Sequence, residues 1–278
     1  MSTVINTNVK AMIATSALVQ NGRSMRSTME SLSTGSRINQ ASDDAAGLSV
    51  RENMTAQING LNAAVRNAND AISMLQTADG ALNEVSEMLQ RMRELGVLAQ
   101  NDTYSTAQRV AMNDEFSALQ SEITRIADNT QWNKMSLLNG DGGNGGGADS
   151  WQFQVGANTN QTITVTISDM AAGSLGVSTV SITSVGVAQD AVSALDDAIS
   201  VLNTRRSIIG AVINRLTHAI DNLTNVAQNT SEARSRVTDT DYATATSELA
   251  RTQIIQQAAT AILAQANQQP QMVLSLLK

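Results

Sequence analysis

Residues 58–92, INGLNAAVRNANDAISMLQTADGALNEVSEMLQRM, decide the fold. Their apolar residues recur in alternating steps of three and four, with one additional step of three between Leu75 and Ala78. Steps that average about 3.5 residues keep one side of an α-helix against a partner helix, and an inserted step of this kind overwinds the pair locally. We therefore predict a single helix of roughly 45–55 residues, about 70–80 Å long. The apolar positions of this seam are Ile58, Leu61, Val65, Ala68, Ile72, Leu75, Ala78, Leu82, Val85, Leu89 and Met92.

Two later stretches repeat this spacing. Between Met112 and Ile126 the steps are 4-3-4-3, and between Leu195 and Ala227 ten positions follow the same alternation, with Arg206 as the one polar exception. The first two seams are separated by QNDTYSTAQR, residues 100–109, which carries turn and helix-capping residues. Three seams of this length predict a bundle of long helices.

The middle of the chain has a different character. Residues 139–150, NGDGGNGGGADS, are rich in glycine and predict a flexible linker. The segment WQFQVGANTNQTITVTIS, residues 151–168, alternates apolar and polar residues on both sides of a turn-like GANTNQ, which predicts a β-hairpin with one buried face. A weaker alternation in LGVSTVSITSV, residues 175–185, predicts one more strand. The predicted fold is therefore mainly α, a long-helix bundle or coiled coil with a small β-hairpin region.

The composition also favours long helices over one compact core. Aromatic residues make up 2% of the chain and there is one proline, whereas Ala, Leu, Ile, Val and Met are abundant. A single round core usually relies on aromatic area, and prolines usually punctuate compact folds. The chain has no cysteine, which excludes disulfides, thiolate metal sites and cysteine nucleophiles.

Charge and hydropathy argue against further classes of protein. A net charge of −7 argues against a general nucleic-acid binder. No stretch approaches about 18 consecutive apolar residues, so we expect no membrane span. The N-terminal residues MSTVINTNVKAMIATSALVQ lack a basic start followed by an apolar segment, so we expect no cleavable secretory signal.

The two ends of the chain are compatible with helices but carry thin apolar stripes. A lone helix of this polarity is marginal in water. We predict that the N- and C-terminal helices pair, that they are mostly disordered in a monomer, and that they become ordered when neighbouring subunits cover them. The residues expected to form this core between subunits are Ile5, Val9, Met12, Ile255, Ile262, Val273 and Leu276.

No catalytic constellation is present in the sequence. The single histidine, His218, lies on the flank of a helical seam without an evident acid–base partner. Asp43 and Asp44, and the pair Asp239 and Asp241, are interpreted as helix caps, with Asp43 expected to restart a helix. The glycine-rich segment lacks the spaced carboxylates of an EF-hand and the lysine of a P-loop. We expect no enzyme activity, no cofactor and no metal.

Five segments closely resemble bacterial flagellins. They are INTNVKAM (5–12), LSTGSRINQASDDAAGLSV (32–50), QTADGALNEVSEMLQRMRELGVLAQN (76–101), WQFQVGANTNQTITVTI (151–167) and ANQQPQMVLSLLK (266–278). The resemblance implies a structural subunit that self-assembles into the extracellular flagellar filament for motility. Proteins of the junction between hook and filament resemble flagellins at the same ends, so a junction protein is the alternative.

The resemblance also implies a domain organisation. Residues 1–42 and 236–278 would form an inner domain of paired helices, and residues 43–139 and 184–235 a long-helix bundle. Residues 140–183 would add the linker and hairpin of that bundle. Because about twenty residues separate the hairpin from the returning helix, no large outer domain is expected, and the filament should be thin and smooth.

Residues 35–50 would form a spoke that joins the inner domain to the bundle. Gly35 and Gly47 are expected to relax the backbone, and the arginines to pair with carboxylates of this chain or of a neighbour. Residues 234–243 would form the matching return joint. The spoke residues are Gly35, Arg37, Asp43, Asp44, Gly47 and Arg51.

The family also implies partners. Besides copies of itself, these are an export chaperone on the C-terminal arm and the hook-associated junction and cap proteins. A patch on the second helix and its neighbour resembles the surface that an innate immune receptor reads on some flagellins, although Gly96 departs from it. Packing between subunits is the other explanation for that patch, which comprises Gln90, Arg91, Glu94, Leu95 and Glu122.

Overall fold

The computed structural model describes residues 7–142 and 150–276, and side chains as far as Gln268. Five helices and two antiparallel two-stranded sheets occur in these ranges, which confirms the mainly α fold. In chain order they are α1 (Val9–Thr34), α2 (Ala45–Ala99), α3 (Thr106–Asn129), β1 (Gln131–Trp132), β2 (Met135–Ser136), β3 (Ser150–Gln154), β4 (Thr162–Thr166), α4 (Val185–Thr238) and α5 (Tyr242–Leu276). Most of the predicted glycine-rich linker, and Ile5 of the N-terminal arm, lie outside the described residues.

The chain groups into two compact units. Unit 1 comprises Met1–Ala56 and Asn229–Lys278, and unit 2 comprises Gln57–Gln228. Unit 1 contains the pair α1 and α5, and unit 2 contains α3, the two sheets and the greater part of α2 and α4. The predicted functional domains, with boundaries at residues 42 and 236, concern the assembled filament and stay a prediction.

The core of unit 2 is the set of three helical seams. On α2, every predicted seam position from Leu75 to Met92 is fully buried, and Met74 is buried beside Leu75. The apolar stripe therefore crosses the additional three-residue step without a gap. Residues of α3 and α4 complete this core, which includes Phe116, Ile123, Leu195, Leu202, Ile209 and Leu216.

Arg206 interrupts the α4 seam without leaving a buried charge unpaired. Its Nε donates to Asp79 Oδ1 on α2 at 2.9 Å, and both side chains remain partly exposed. Arg206 is half-buried, and an arginine can keep its methylenes against apolar surface while its charged end reaches a carboxylate at the edge. The polar exception in the sequence is thus an ion pair between two core helices.

The predicted hairpin is present as β3 and β4. Trp151 pairs with Val165 and Phe153 with Ile163, so that apolar residues share one face. Trp151, Ile163 and Val165 are buried in the unit 2 core. The alternation of residues 151–168 therefore identified both the strands and the face that they bury.

The additional strand predicted for residues 175–185 is wrong. Leu175, Val177 and Ile182 are buried, but the segment runs in turns and enters α4 at Val185. Side chains of α3 supply the bonds that a neighbouring strand would have made. Gln120 Nε2 donates to the carbonyl oxygens of Val177 (2.6 Å) and Val180 (2.8 Å), and the Ile182 amide donates to Asn113 Oδ1 (2.9 Å).

A short sheet that the sequence analysis missed follows α3. Strands β1 and β2 pair through Trp132 and Met135, and the two residues between them have positive φ, 49° at Asn133 and 66° at Lys134. Two successive left-handed residues are the geometry of a tight hairpin turn that usually carries Asn-Gly. Lysine at the second position weakens that signal in the sequence.

We expect Leu82→Ala to lower the free energy of unfolding of unit 2 by about 2–5 kcal/mol, because it removes a fully buried side chain at the centre of α2. Urea unfolding followed by circular dichroism measures this change. The matched control is Glu84→Ala, an exposed position of the same helix, for which we expect a change within about 0.5 kcal/mol. Equal effects of the two substitutions would contradict the assigned core.

Candidate functional site

Helices α1 and α5 pack against each other in antiparallel orientation through polar contacts. Asn8 Nδ2 donates to the Ala266 carbonyl at 2.8 Å, near the start of one helix and far along the other. At the opposite end, Tyr242 Oη donates to the Leu32 carbonyl at 3.3 Å. The order of these contacts along the two helices fixes their relative register.

The side chains that are fully buried within this pair are small or polar, whereas Leu18, Met25, Leu32, Leu249 and Leu263 are half-buried. Among the side chains that the structure describes on these helices, the buried ones are Ala14, Asn21, Thr252 and Ala266. The buried amide of Asn21 donates to the Thr252 carbonyl at 2.8 Å and to Gln256 Oε1 at 3.2 Å, so its polar group is satisfied. The contact between the helices therefore buries few large apolar groups completely.

A second set of large apolar side chains on the two helices faces solvent. Their exposed fractions range from 40% at Ile255 to 66% at Ile254, and they occupy both helices. A monomeric soluble protein rarely exposes so many large apolar groups together, and such surfaces usually mark an interaction site. The exposed residues are Val9, Met12, Ile13, Val19, Met29, Ile254, Ile255 and Ile262.

Four of the seven predicted arm residues belong to this surface. They are Val9, Met12, Ile255 and Ile262. Ile5 precedes the described residues, and Val273 and Leu276 lie on α5 beyond the last side chain that is described. Sequence analysis placed Ile13 in the apolar stripe of the N-terminal arm and missed Ile254, which adjoins the predicted Ile255, because the thin stripe gave no indication of which side faces the partner helix.

The spoke begins where α1 ends. Gly35 has φ +70° and terminates the helix in the left-handed conformation, which glycine adopts at no steric cost. The next residues pair with the return joint of the same unit. The Arg37 amide donates to the Thr238 carbonyl at 2.6 Å, and the Thr240 amide donates to the Gly35 carbonyl at 3.0 Å. The two connections between α1, α2, α4 and α5 are thus held together by backbone hydrogen bonds.

Asp44, rather than Asp43, caps the start of α2. Asp44 Oδ1 accepts from the Gly47 amide at 2.8 Å, three residues on, as an N-cap side chain does. Asp43 points to the preceding loop, where its Oδ2 accepts from the amides of Asn39 (3.1 Å) and Gln40 (2.9 Å). The predicted cap at Asp43 is corrected by one residue, because sequence alone does not fix where the first helical turn begins.

Gly47 serves close packing rather than backbone freedom. It lies in the first turn of α2, and a Cβ atom there would approach Ile38 Cδ1 to 2.6 Å and the Asp44 carboxylate more closely still. Ile38 is buried. The expectation that Gly47 relaxes the backbone is therefore wrong, and its missing side chain instead admits Ile38 of the spoke.

The spoke arginines bind backbone carbonyls of their own chain. Arg37 Nη2 donates to the Val237 carbonyl at 2.9 Å, and Arg51 Nη1 to the Ile38 carbonyl at 2.9 Å. Arg51 also pairs with Glu52 at 2.7 Å, so it has the carboxylate partner that the sequence predicted. Within this chain Arg37 binds a carbonyl, which ties the spoke to the return joint, and its pairing with a carboxylate of a neighbouring subunit stays a prediction.

Asp241 caps α5, in agreement with its interpretation from the sequence. Its Oδ1 accepts from the Ala243 amide at 2.9 Å and its Oδ2 from the Thr244 hydroxyl at 2.8 Å. These hydrogen bonds, led by the Thr244 hydroxyl, lower the pKa of Asp241 below its ordinary value because they favour the ionised carboxylate.

The predicted patch of unit 2 combines surface charges with one core residue. Arg91 Nε donates to Glu115 at 2.9 Å on α3 and Arg91 Nη1 to Glu94 at 3.1 Å, and these bonds raise the pKa of Arg91. Gln90 is exposed, and Glu122 pairs with Arg125 at 2.5 Å. Leu95 is buried in the core, so it is not available on the surface of the patch.

Gly96, the departure from the family patch, has a packing reason. A Cβ atom at this position would lie 2.9 Å from Val192 Cγ2 on α4. The glycine therefore lets α4 approach α2 closely beside Leu95. The Gln100 side chain bridges the same two helices by donating to the Ala188 carbonyl at 3.3 Å.

The described residues contain no cluster of three or more His, Asp or Glu side chains suited to a metal ion. Within the same part of the chain, no helix is long and apolar enough to cross a membrane. His218 is exposed on α4.

Comparisons with known proteins match this chain from end to end. Residues 5–142 match the family model of the bacterial flagellin N-terminal helical region, and residues 192–277 match that of the C-terminal helical region. The chain belongs to the bacterial flagellin family. A flagellin of Halalkalibacterium halodurans is 45% identical over 277 residues, which cover 99% of this chain and 100% of that protein. As a member of this family the chain is a structural subunit of the extracellular flagellar filament, and flagellins are not enzymes.

Solved structures support the flagellin fold. The crystal structure of Bacillus cereus flagellin superposes with a TM-score of 0.51 at 32% identity and covers 61% of this chain and 94% of that one. A putative flagellar hook-associated protein from Vibrio parahaemolyticus superposes with a TM-score of 0.59 at 15% identity, covering 71% of this chain and 100% of that one. At this identity the second likeness shows the fold alone, and it does not favour the junction alternative.

We expect Asp44→Ala to accelerate amide exchange at Gly47 about fivefold, because it removes an N-cap that contributes about 1 kcal/mol. Asp44→Asn should retain most of the protection, since asparagine is also a good N-cap. Hydrogen exchange followed by mass spectrometry or NMR measures both. Unchanged exchange in Asp44→Ala would show that another group caps the helix.

We expect the first turn of α5 to lose protection in acid. The pKa of Asp241 is lowered in the folded state, so its stabilisation is complete above the ordinary carboxyl pKa of about 4 and is lost as the pH falls through the lower folded value. Amide protection factors in this turn, measured from pH 6 to pH 3, report this loss. In Asp241→Asn the protection should be nearly independent of pH, because asparagine caps the helix without a titrating carboxylate. The same steep decrease in that variant would assign the effect to another carboxylate.

Proposed function

We propose that the exposed apolar residues of α1 and α5 are the surface by which copies of this flagellin pack in the filament. One observation carries the proposal. The two helices fully bury only alanine, asparagine and threonine, half-bury leucines and one methionine, and leave five further apolar side chains of α1 and three isoleucines of α5 exposed. In the filament, neighbouring copies cover those groups.

The energetics of the pair support assembly-dependent order. Burial of apolar area stabilises by about 25 cal/mol per Å², so a seam of alanine, polar groups and half-buried leucine gains less than a seam of fully buried leucine. Ordering each residue of the pair opposes it by about 1–2 kcal/mol. Contacts with several neighbouring subunits bury more apolar area, whereas the entropic cost of ordering these residues is incurred only once. Repeated contacts between unlike faces that do not close into a ring generate a helical polymer.

We propose further that the spoke fixes how the inner and outer parts of the subunit are connected. Its carboxylates cap a helix and order a loop, and its arginines bind carbonyls of the return joint and the spoke itself. Replacing Asp43 and Asp44 together would loosen this connection. The expected consequence is altered filament shape or blocked assembly.

The exposed apolar residues of α1 and α5 also bear on the other partners that the family implies. We propose that the subunit is secreted through the flagellar export channel, that an export chaperone covers the C-terminal arm beforehand, and that junction and cap proteins engage the arms at the filament ends. The exposed side chains of Ile254, Ile255 and Ile262 support this proposal, because an apolar helix face requires cover before assembly.

We propose that the charged surface of the unit 2 patch contacts a neighbouring subunit in the filament, and an innate immune receptor when the subunit is free. The network of Arg91 with Glu94 and Glu115 supports the proposal, because it holds exposed charges in a defined arrangement. Gln90 and Glu122 would contribute exposed polar groups. Leu95 would act by holding α2 in place beneath the patch.

We expect Ile262→Ser to slow seeded filament growth about tenfold or more, because each added subunit then leaves a polar group in a contact that isoleucine fills. Elongation of fluorescently labelled seeds under the microscope measures the rate. The matched control is Gln253→Ser, an exposed polar position of the same helix, which should elongate at the wild-type rate.

Circular dichroism of each monomer confirms that the substitutions leave the helices of unit 2 intact. Growth of Ile262→Ser at the wild-type rate would remove this residue from the interface. Failure of the wild-type protein to elongate any seed would contradict the filament surface as a whole.

A further inference from the structure

Thioethers are the only sulfur groups of this chain, which has twelve methionines and no cysteine. Their exposure differs widely. Met74, Met92 and Met170 are buried in the core of unit 2. Met12 and Met29 on α1 are exposed by 65% and 53%. Because a thioether reacts with peroxides when they reach its sulfur, the exposed methionines are the reactive ones.

Met12 has a special place among the exposed methionines. Val9 and Ile13 lie three residues before it and one residue after it on α1, and both are more than half exposed. Positions i, i+3 and i+4 are neighbours on a helix surface, so the three side chains form one apolar patch. Ala14, which is buried, follows Met12 by two residues, or about 200° around the helix. Met12 therefore points away from the side that is buried in the pair.

Met29 provides a natural contrast on the same helix. Its exposed neighbours at i−3 and i+4 are Arg26 and Ser33, whereas Met25 and Leu32, at i−4 and i+3, are half-buried. Met29 also belongs to the exposed apolar residues, but a more polar side chain there keeps exposed polar neighbours, so we expect its sulfoxide to disturb assembly less than that of Met12. A more polar side chain at position 12 would interrupt an apolar patch.

We propose that Met12 is an oxidation site whose sulfoxide blocks the addition of the subunit to a filament. The inference rests on the proposed function, in which neighbouring copies bury this face of α1. The reactant is a peroxide of the hydrogen peroxide class. Its distal oxygen forms a bond to the Met12 sulfur as the O–O bond breaks, the sulfur loses two electrons, and the peroxide is reduced to water.

The sulfoxide has physical properties opposite to those that the patch requires. It places a strong hydrogen-bond acceptor between Val9 and Ile13, where a thioether was apolar. Burial of a polar group without a donor is unfavourable, so subunit addition loses free energy at each contact that covers Met12. The reaction is reversible by methionine sulfoxide reductases, which makes the block reversible as well.

Assembly should in turn protect Met12. In the free subunit the sulfur is accessible, and in a filament neighbouring copies would exclude the oxidant from it. Met12 should therefore react much faster in monomers than in filaments, whereas Met74 and Met92 should be slow in both.

The experiment uses the full-length monomer treated with dilute hydrogen peroxide, quenched, and added to unoxidised filament seeds. Peptide mass spectrometry measures sulfoxide at each methionine, and microscopy measures elongation. We expect wild type with Met12 mostly oxidised to elongate about tenfold more slowly or worse, and Met12→Leu to keep its rate after the same treatment. Met29→Leu is the matched control and should lose its growth as wild type does. Methionine sulfoxide reductase with dithiothreitol should restore growth, and dithiothreitol has no disulfide to break in this chain.

The possible results separate the two proposals. Normal elongation of wild-type subunits that carry Met12 sulfoxide would overturn the oxidation site and leave the filament surface intact. Equal rescue by Met29→Leu and Met12→Leu would also overturn it. If untreated wild type fails to elongate seeds, the filament surface itself fails, and the oxidation site fails with it. If Met12→Leu does not elongate before treatment, Met12→Ile replaces it in the same comparison.

Discussion

The hydrogen bond from the buried amide of Asn21 to the Thr252 carbonyl sets the character of unit 1. A buried amide must find partners, and only a narrow range of relative positions of α1 and α5 supplies them. The neighbouring buried positions are alanines, which allow the helices to approach closely. The pair is thereby specific in register, with only half-buried leucines and one half-buried methionine as large apolar groups in the seam. Its other large apolar groups remain exposed.

Unit 2 uses the same residue types in the opposite arrangement. Its leucines, isoleucines and methionines face one another across three helices, and even the charged interruption at Arg206 has a partner at Asp79. A core of this kind is complete within one chain. The flagellin thus combines a bundle whose core lies within one chain with a helix pair that exposes large apolar side chains, and we propose that other copies cover that surface.

The spoke and the return joint show how local chemistry holds a connection without a large core. Gly35 ends α1, Asp44 caps the start of α2, and Asp241 caps the start of α5. The two carboxylates accept hydrogen bonds from backbone amides that have no partner within their helix. Backbone pairing of Gly35 and Arg37 with Thr238 and Thr240 then joins the two connections. Arg37 adds a charged donor to the Val237 carbonyl. The arginines thus act mainly as ties within one chain.

The sequence by itself determined the long helices, the three seams of unit 2 and the hairpin. Apolar residues that recur about every 3.5 positions indicate packed helices, and apolar residues at every second position indicate strands. It also identified Val9, Met12, Ile255 and Ile262 as the apolar residues of the arms. Only the tertiary structure decided that these residues face away from the α1–α5 seam, that Leu95 is core, and that Asp44 rather than Asp43 caps α2. It likewise decided that residues 175–185 form turns, since Gln120 and Asn113 of α3 take the place of a partner strand. The reason is physical. A periodic apolar stripe depends only on residues that are close together along the chain. Which side of a helix is covered, which residue caps it and what a single backbone segment pairs with depend also on contacts with other parts of the fold.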